Sequence, residues 1–231
     1  PLETLVLRIE SELNAPATKH AQPELGEDVK VMGVRAGGQV ELTVACAFVA
    51  RHVRDLADYL AKKEHAAARV RALAASSGFA EAAVGVNVAD DPANGSVYLT
   101  VTGLSAESGD DGQAGRGNRV GGLITPGRPM TMESAAGKNP VTHVGKLYNI
   151  AARLIAERVA AAPGVAEAEC TLVSRIGRPI GEPQIAEVRI RTVDGRPISE
   201  LRPTVEAILQ QELKGLAGLW RRLLGGELTV Y

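Results

Sequence analysis

Apolar positions along this chain follow two rhythms, and the switches between them mark its elements. Leu2, Leu5, Val6, Ile9 and Leu13 recur at steps of 3, 1, 3 and 4, which is one face of a helix ending near Asn14. Residues 15–28 hold Pro16, Pro23 and Gly26 and read as a loop. Residues 29–34 alternate around Lys30 as a strand, Arg35-Ala36-Gly37-Gly38 is a turn, and residues 40–49 return as the second strand of a hairpin. Residues 53–75, with Leu56, Leu60, Val70 and Leu73, predict a helix. Two further strands, 82–88 and 97–102, flank the turn from Asp90 to Gly95. After a long aperiodic stretch, Asn139 and Pro140 supply a side-chain cap and a first-turn proline for a helix that stops at Pro163-Gly164. Strands at 166–174 and 184–193, a helix at 201–223 and a short last strand at 228–231 complete the chain.

The second half thus repeats the element order of the first. The pattern predicts an α+β protein of two similar units, each a largely antiparallel sheet with helices on one face. The expected organisation is a first unit at 1–104, a glycine-rich active-site loop at 105–138 and a second unit at 139–231.

Composition narrows the function. At roughly 150 residues per domain, 231 residues make one large or two small domains. Lys plus Arg is 26 and Asp plus Glu is 27, so the basic excess of a phosphate-neutralising nucleic-acid binder is missing. Phe, Trp and Tyr number 2, 1 and 4, too few for a base-stacking platform. No apolar run approaches the ~20 residues that span a bilayer. Cys46 and Cys170 both sit in apolar alternating segments and read as buried free thiols of a reducing, cytoplasmic setting. Two isolated cysteines and four scattered histidines make no zinc site.

The aperiodic stretch carries the candidate chemistry. Residues 109–122 read Gly-Asp-Asp-Gly-Gln-Ala-Gly-Arg-Gly-Asn-Arg-Val-Gly-Gly. Glycines such as Gly112 and Gly115 let backbone N–H groups turn toward an anion and let the chain approach it. Arg116, Arg119 and the following Arg128 offer planar forks for phosphate oxygens. Asp110 and Asp111 are hard oxygen ligands for Mg²⁺, or acceptors for ribose hydroxyls or an ammonium. The spacing is neither a P-loop, because Asn118-Arg119 stands where Lys-Ser/Thr belongs, nor a dinucleotide turn, because Val120 stands where the third glycine belongs. By composition alone a solvated loop fits equally well. A second element adds to the first: the helix that starts near Asn139 presents N–H groups and a positive dipole end, with Lys138 just before it. His143 and Lys146 follow about one turn apart on one side. His143 is either a packed histidine or a site residue, and Lys146 and Lys30 are either solvated or functional. Glu133 is a ligand or a loop charge.

These residues together resemble the archaeal-type S-adenosylmethionine synthetases (methionine adenosyltransferases). The resemblance rests on Gly109 to Val120, Gly122-Leu123-Ile124-Thr125-Pro126, Arg128-Pro129-Met130, Ala136-Gly137-Lys138-Asn139-Pro140 and His143-Val144-Gly145-Lys146-Leu147-Tyr148-Asn149. It extends to Gly26-Glu27-Asp28-Val29-Lys30-Val31-Met32-Gly33, Ala89-Asp90-Asp91-Pro92 and Ser174-Arg175-Ile176-Gly177-Arg178-Pro179-Ile180. It implies a fold of three similar α+β units about a pseudo-threefold axis, two of them present here. It implies a homodimer through sheet faces, with ATP and L-methionine as substrates, Mg²⁺ required and K⁺ activating. It assigns Lys30 to the triphosphate or reacting region, Arg116 and Lys138 to the triphosphate, Asp110 to the nucleoside or methionine, and Ile176 to adenine. Asp111, Gly112, Gly115, Asn118, Arg119, Asn139, His143 and Lys146 join it as ATP- or methionine-binding positions, with Asp110 or Asp111 as the metal ligand.

Two departures accompany the resemblance. The family's N-terminal His-Pro-Asp segment is missing from this sequence, and Gly121 and Gly127 stand where asparagines are expected. The implied reading is the C-terminal part of a synthetase, catalytically deficient alone and completed by an N-terminal portion. The competing readings are a non-catalytic nucleotide- or polyphosphate-binding module and a purely structural assembly domain.

Overall fold

The computed structural model describes residues 1–104, 117–131, 134–175 and 177–230. The chain divides into two compact units, Pro1–Gln113 and Ala114–Tyr231.

In the first unit, helix α1 (Leu2–Asn14) leads through a short helix α2 (Pro16–Ala21) to strands β1 (Leu25–Ala36) and β2 (Gln39–Val49). Helix α3 (Leu56–Ser76) and the short strands β3 (Ala83–Val86) and β4 (Leu99–Thr100) follow. The segment read as a loop contains α2 because Pro16 occupies a first-turn position, where its missing N–H has no helical partner to lose. β1 and β2 pair antiparallel from Val29↔Cys46 to Ala36↔Gln39, and Gly37 closes the hairpin at φ +58. β3 and β4 both pair parallel with β2, each over only a few residues.

Alternation decides which side chains go inside. Leu42, Val44, Cys46 and Phe48 of β2 are buried against Leu5, Ile9 and Leu13 of α1 and Tyr59, Ala66 and Val70 of α3. Phe48 and Tyr59 meet as tilted rings 5.1 Å apart. On the opposite face of β1, Lys30, Met32 and Val34 are exposed.

Where β3 ends, Asn87 takes over the ladder with its side chain. Its Oδ1 accepts from the Cys46 N–H at 2.8 Å and its Nδ2 donates to the Cys46 carbonyl at 2.9 Å. The backbone bends there to φ +45, a conformation that asparagine tolerates better than most residues. Asp90 then gathers three donors: the Tyr59 hydroxyl at 2.8 Å, the Lys63 ammonium at 2.7 Å and the Tyr98 N–H at 2.9 Å. This buried polar network is satisfied on every side that these residues reach, which fixes the end of the sheet rather than leaving a desolvation penalty.

The second unit repeats the helix–hairpin–helix order. Helix α4 (Val144–Ala160) packs on the antiparallel pair β5 (Val165–Val173) and β6 (Ile185–Thr192), followed by α5 (Ile198–Gly215) and α6 (Leu219–Leu224). Ile155, Val159, Val165 and Leu201 form one core cluster. Leu147, Ile150, Ala151 and Leu154 join Leu213, Leu216, Leu219 and Leu228 in another. The outer face of the hairpin is charged, with Arg191 paired to Glu167 at 2.9 Å and Arg189 to Glu187 at 3.0 Å.

Three expectations are corrected here. The predicted helix 201–223 is two helices separated by a 3₁₀ turn at Leu216–Gly218. Residues 228–230 form no strand; Leu228 instead packs on the leucines of the second cluster. The helix expected from Asn139 begins at Val144, with His143 as its cap. Asn139 still caps, but locally: its Oδ1 accepts from the Val141 and Thr142 N–H groups at 2.8 and 3.2 Å, which closes a turn of its own.

The entry to β1 depends on two glycines. A Cβ on Gly26 would lie 2.2 Å from the Ala47 carbonyl oxygen and 2.3 Å from that of Gly103. One on Gly103, which has φ +81, would lie 2.8 Å from the Gly26 Cα. The backbones cross at contact distance, and the Asp28 N–H donates to the Gly103 carbonyl at 3.1 Å. Gly26→Ala is therefore expected to lower unfolding free energy by about 2–3 kcal/mol in urea titration, the cost of overpacking against rigid backbone. Gly38→Ala, where a Cβ meets nothing within 4 Å, should change it by less than about 0.5 kcal/mol.

Candidate anion-binding site

The sequence-predicted residues divide between the two units. Lys30 belongs to the first; Asn118, Arg119, Lys138, Asn139, His143 and Lys146 belong to the second. Asp110, Asp111, Gly112, Gly115, Arg116, Glu133 and Ile176 lie outside the described residues.

In the second unit the first turn of α4 is the chemical centre. The His143 side chain caps it, Nδ1 accepting from the Gly145 N–H at 3.1 Å. In the neutral ring that leaves the proton on Nε2. Lys146 follows one turn later and is buried to 7% exposure, which is rare for a lysine without a counter-ion. Among the described residues no acceptor reaches its ammonium. Burial lowers its pKa below the ordinary 10.5, and the positive charge of Lys138 lowers it further. Lys146 thus lies in the first turn of a 17-residue helix, near its positive end and within reach of the Lys138 charge. An anion bound there would offset the burial of the Lys146 charge at the positive end of the helix. Lys146 reaches this position because Leu147, Ile150 and Leu154 on the same helix are drawn into the core, carrying its first turn inward.

Tyr148, two residues on, is the next link. Its hydroxyl donates to the Ile180 carbonyl at 2.8 Å, tying α4 to the connection between β5 and β6. Asn149 holds the helix start from inside, its Nδ2 donating to the Gly145 carbonyl at 2.7 Å.

Residues 117–131 fold back on themselves in the same unit. Gly117 N–H donates to the Thr131 carbonyl at 2.8 Å, and the Arg119 N–H to that of Leu123 at 2.9 Å. Asn118 Nδ2 donates to the Gly122 carbonyl at 2.8 Å, and an Arg119 guanidinium nitrogen meets the Thr125 hydroxyl at 3.1 Å. Gly121 and Gly122 supply the positive φ values of +102 and +84 that this turn requires. Asn118 and Arg119 therefore shape the loop.

In the first unit Lys30 stands on the exposed face of β1, where its ammonium meets Asp28 Oδ1 at 2.5 Å and Oδ2 at 2.8 Å. Asp28 also accepts from the Tyr98 hydroxyl at 2.8 Å. Sequence reasoning missed both partners' role. Asp28 was visible as the residue two positions before Lys30 on the same strand face. Tyr98 carries no local signal, since 70 residues separate it from Asp28.

The described residues do not supply a metal site: among them no group of three His, Cys, Asp or Glu side chains could hold an ion. Asp28 is engaged by Lys30 and Tyr98. What they supply is positive charge.

The buried Lys146 in the first turn of α4, under the influence of the Lys138 charge, makes this end of the helix the candidate anion-binding site of the second unit. The sequence model of S-adenosylmethionine synthetase (AdoMet synthetase) matches residues 1–227. Over 230 residues the chain is 50% identical to a protein named "Probable S-adenosylmethionine synthase" from Aquifex aeolicus, covering 99% of this chain and 57% of that one. It is 46% identical to the S-adenosylmethionine synthase of Halobacterium salinarum over 99% of this chain and 56% of the relative. It is 48% identical to that of Aeropyrum pernix over 100% and 57%. The chain belongs to the S-adenosylmethionine synthetase family. It spans a little over half the length of these relatives.

Replacing Lys146 by Met keeps the aliphatic packing and removes the buried charge. Lys146→Met is expected to stabilise the chain by about 1–2 kcal/mol at pH 7. The pH dependence has a defined sign. A lysine whose folded pKa lies below its unfolded one destabilises while protonated, and the penalty fades as pH rises from the folded value toward 10.5. The stability gap between Lys146→Met and wild type should therefore narrow across that window in urea titrations at stepped pH. A constant gap would show that the ammonium is not strained.

Proposed function

We propose that this chain carries the triphosphate-binding part of a methionine adenosyltransferase, which makes S-adenosylmethionine from ATP, L-methionine and water with release of pyrophosphate and phosphate. The observation that carries this reading is Lys146, buried in the first turn of α4 where the charge of Lys138 also acts on it. The family membership supplies the reaction. The methionine sulfur attacks the ribose C5′, the C5′–O bond breaks with its electron pair going to the triphosphate, and water then cleaves the triphosphate. Charge gathers on the leaving triphosphate, so fixed cations that are more strongly bound in the transition state accelerate the step. Lys138 and Lys146 hold the phosphate oxygens, His143 caps the helix that aims them, and Lys30 and Arg116 add positive charge from their own segments. Asp110 accepts from the nucleoside or from the methionine ammonium, and Ile176 packs on adenine. The sulfur is nucleophilic without a general base, so no proton acceptor is required at the attacking atom.

Asp110 or Asp111 would hold Mg²⁺, which neutralises phosphate charge when bound; K⁺ is the further ion this reading includes. The chain acts together with an N-terminal portion, a reading supported by its covering 57% of the Aquifex relative. A homodimer through the exposed β1–β2 face is part of the same reading. Met32 and Val34 are 58% and 47% exposed there, between Lys30 and Glu41, so a twofold partner could pair the charges across an apolar band. Among the described residues no helix is long and apolar enough to cross a membrane. A cytoplasmic setting is part of the same reading.

The test is release of S-adenosylmethionine and phosphate from ATP, methionine, Mg²⁺ and K⁺, with the 231-residue chain alone and beside Lys138→Ala, together with ATP titration of both. The expected result is ATP binding that Lys138→Ala weakens at least tenfold, without turnover by the chain alone. Unaided turnover would overturn the partial-enzyme reading. Absence of ATP binding would overturn the site itself, and binding unaffected by Lys138→Ala would favour a module that holds nucleotide elsewhere.

A further inference from the structure

We propose that Tyr98 is a positioning residue for Lys30, acting through Asp28. The proposal rests on the reading above, in which Lys30 meets the reacting anion. Lys30 is exposed on a flexible four-carbon stem, and such a stem samples many rotamers unless its head is held. Its head is held: both oxygens of Asp28 lie within 2.8 Å of the ammonium. A lysine alone would not stop that carboxylate from turning about its own Cβ–Cγ bond. The Tyr98 hydroxyl does, by donating to Asp28 Oδ2 at 2.8 Å. The Asp28 N–H is fixed as well, on the Gly103 carbonyl at 3.1 Å.

Tyr98 is in turn held on both sides of its own backbone. Its N–H donates to Asp90 Oδ1 at 2.9 Å, and its carbonyl accepts from the Phe48 N–H at 3.1 Å. Asp90 is locked by the Tyr59 hydroxyl and the Lys63 ammonium. A continuous set of hydrogen bonds thus runs from the core network through Tyr98 and Asp28 to an exposed ammonium. The Tyr98 hydroxyl is directed at the carboxylate that anchors Lys30.

The experiment compares the 231-residue wild type with Tyr98→Phe and Asp28→Asn, reading the ¹⁵N resonance of the Lys30 ζ-ammonium, assigned with Lys30→Arg. Tyr98→Phe keeps the ring and should leave the melting temperature within about two degrees, since one exposed-side hydrogen bond is lost. It is expected to move the Lys30 resonance toward that of a solvated lysine, and Asp28→Asn to move it further in the same direction. In parallel, inorganic triphosphate titration should weaken about three- to tenfold in Tyr98→Phe, the factor corresponding to one hydrogen bond. A Lys30 resonance unchanged in Tyr98→Phe overturns the proposal. So does a shifted resonance with unchanged triphosphate affinity. If the wild type binds no triphosphate, the functional reading fails, and the Lys30 resonance alone then decides whether Tyr98 positions it.

Discussion

A lysine drawn largely out of solvent in the first turn of a helix, under the influence of a second lysine, is a cost that folding alone does not explain. Lys146 is in that position. Packing of Leu147, Ile150 and Leu154 brings it there, and the charge would be better solvated almost anywhere else on the surface. Arrangements of this kind persist where a ligand supplies the missing counter-charge, because preorganised cations need no rearrangement when the anion arrives. The rest of the second unit serves that point. His143 ends the preceding turn and starts the helix, Asn139 closes that turn, and Tyr148 ties the helix to the β5–β6 connection.

The first unit solves a different problem, that of fixing a charge on an exposed sheet face. Its solution is a layered one. Asn87 completes the ladder where β3 stops, Asp90 collects donors from α3 and from Tyr98, and Tyr98 reaches the Asp28 that holds Lys30. The close crossing of Gly26 and Gly103 puts the start of β1 and the exit of β4 in contact, which is why Asp28 can be held from both. Residues that are part of the hydrophobic core in one direction are therefore part of the site's support in the other.

Much of this was legible in the sequence, for local reasons. The spacing of Leu2 to Leu13, the Gly37-Gly38 hairpin and the alternation of β5 and β6 are periodic signals that depend on immediate neighbours, and the elements formed there. The lysines at 138 and 146 and the histidine between them were legible as a motif. What was not legible depends on partners distant in sequence. β3 and β4 were expected as strands at 82–88 and 97–102 and form shorter ones within those ranges, but their parallel pairing with β2 was not legible. The start of α4 was misplaced because Asn139 and His143 are both able to cap, and sequence does not say which turn continues as a helix. Tyr98 was invisible as a site residue, since nothing near it in the chain announces Asp28.

The most direct measurement is the titration of the Lys146 ζ-amine by NMR, in the free chain and with saturating inorganic triphosphate. The account predicts a pKa below 10.5 in the free chain, as burial and Lys138 require, and a clear upward move when triphosphate binds. Titration at the ordinary value in the free chain, or a value that triphosphate leaves unmoved, would contradict it.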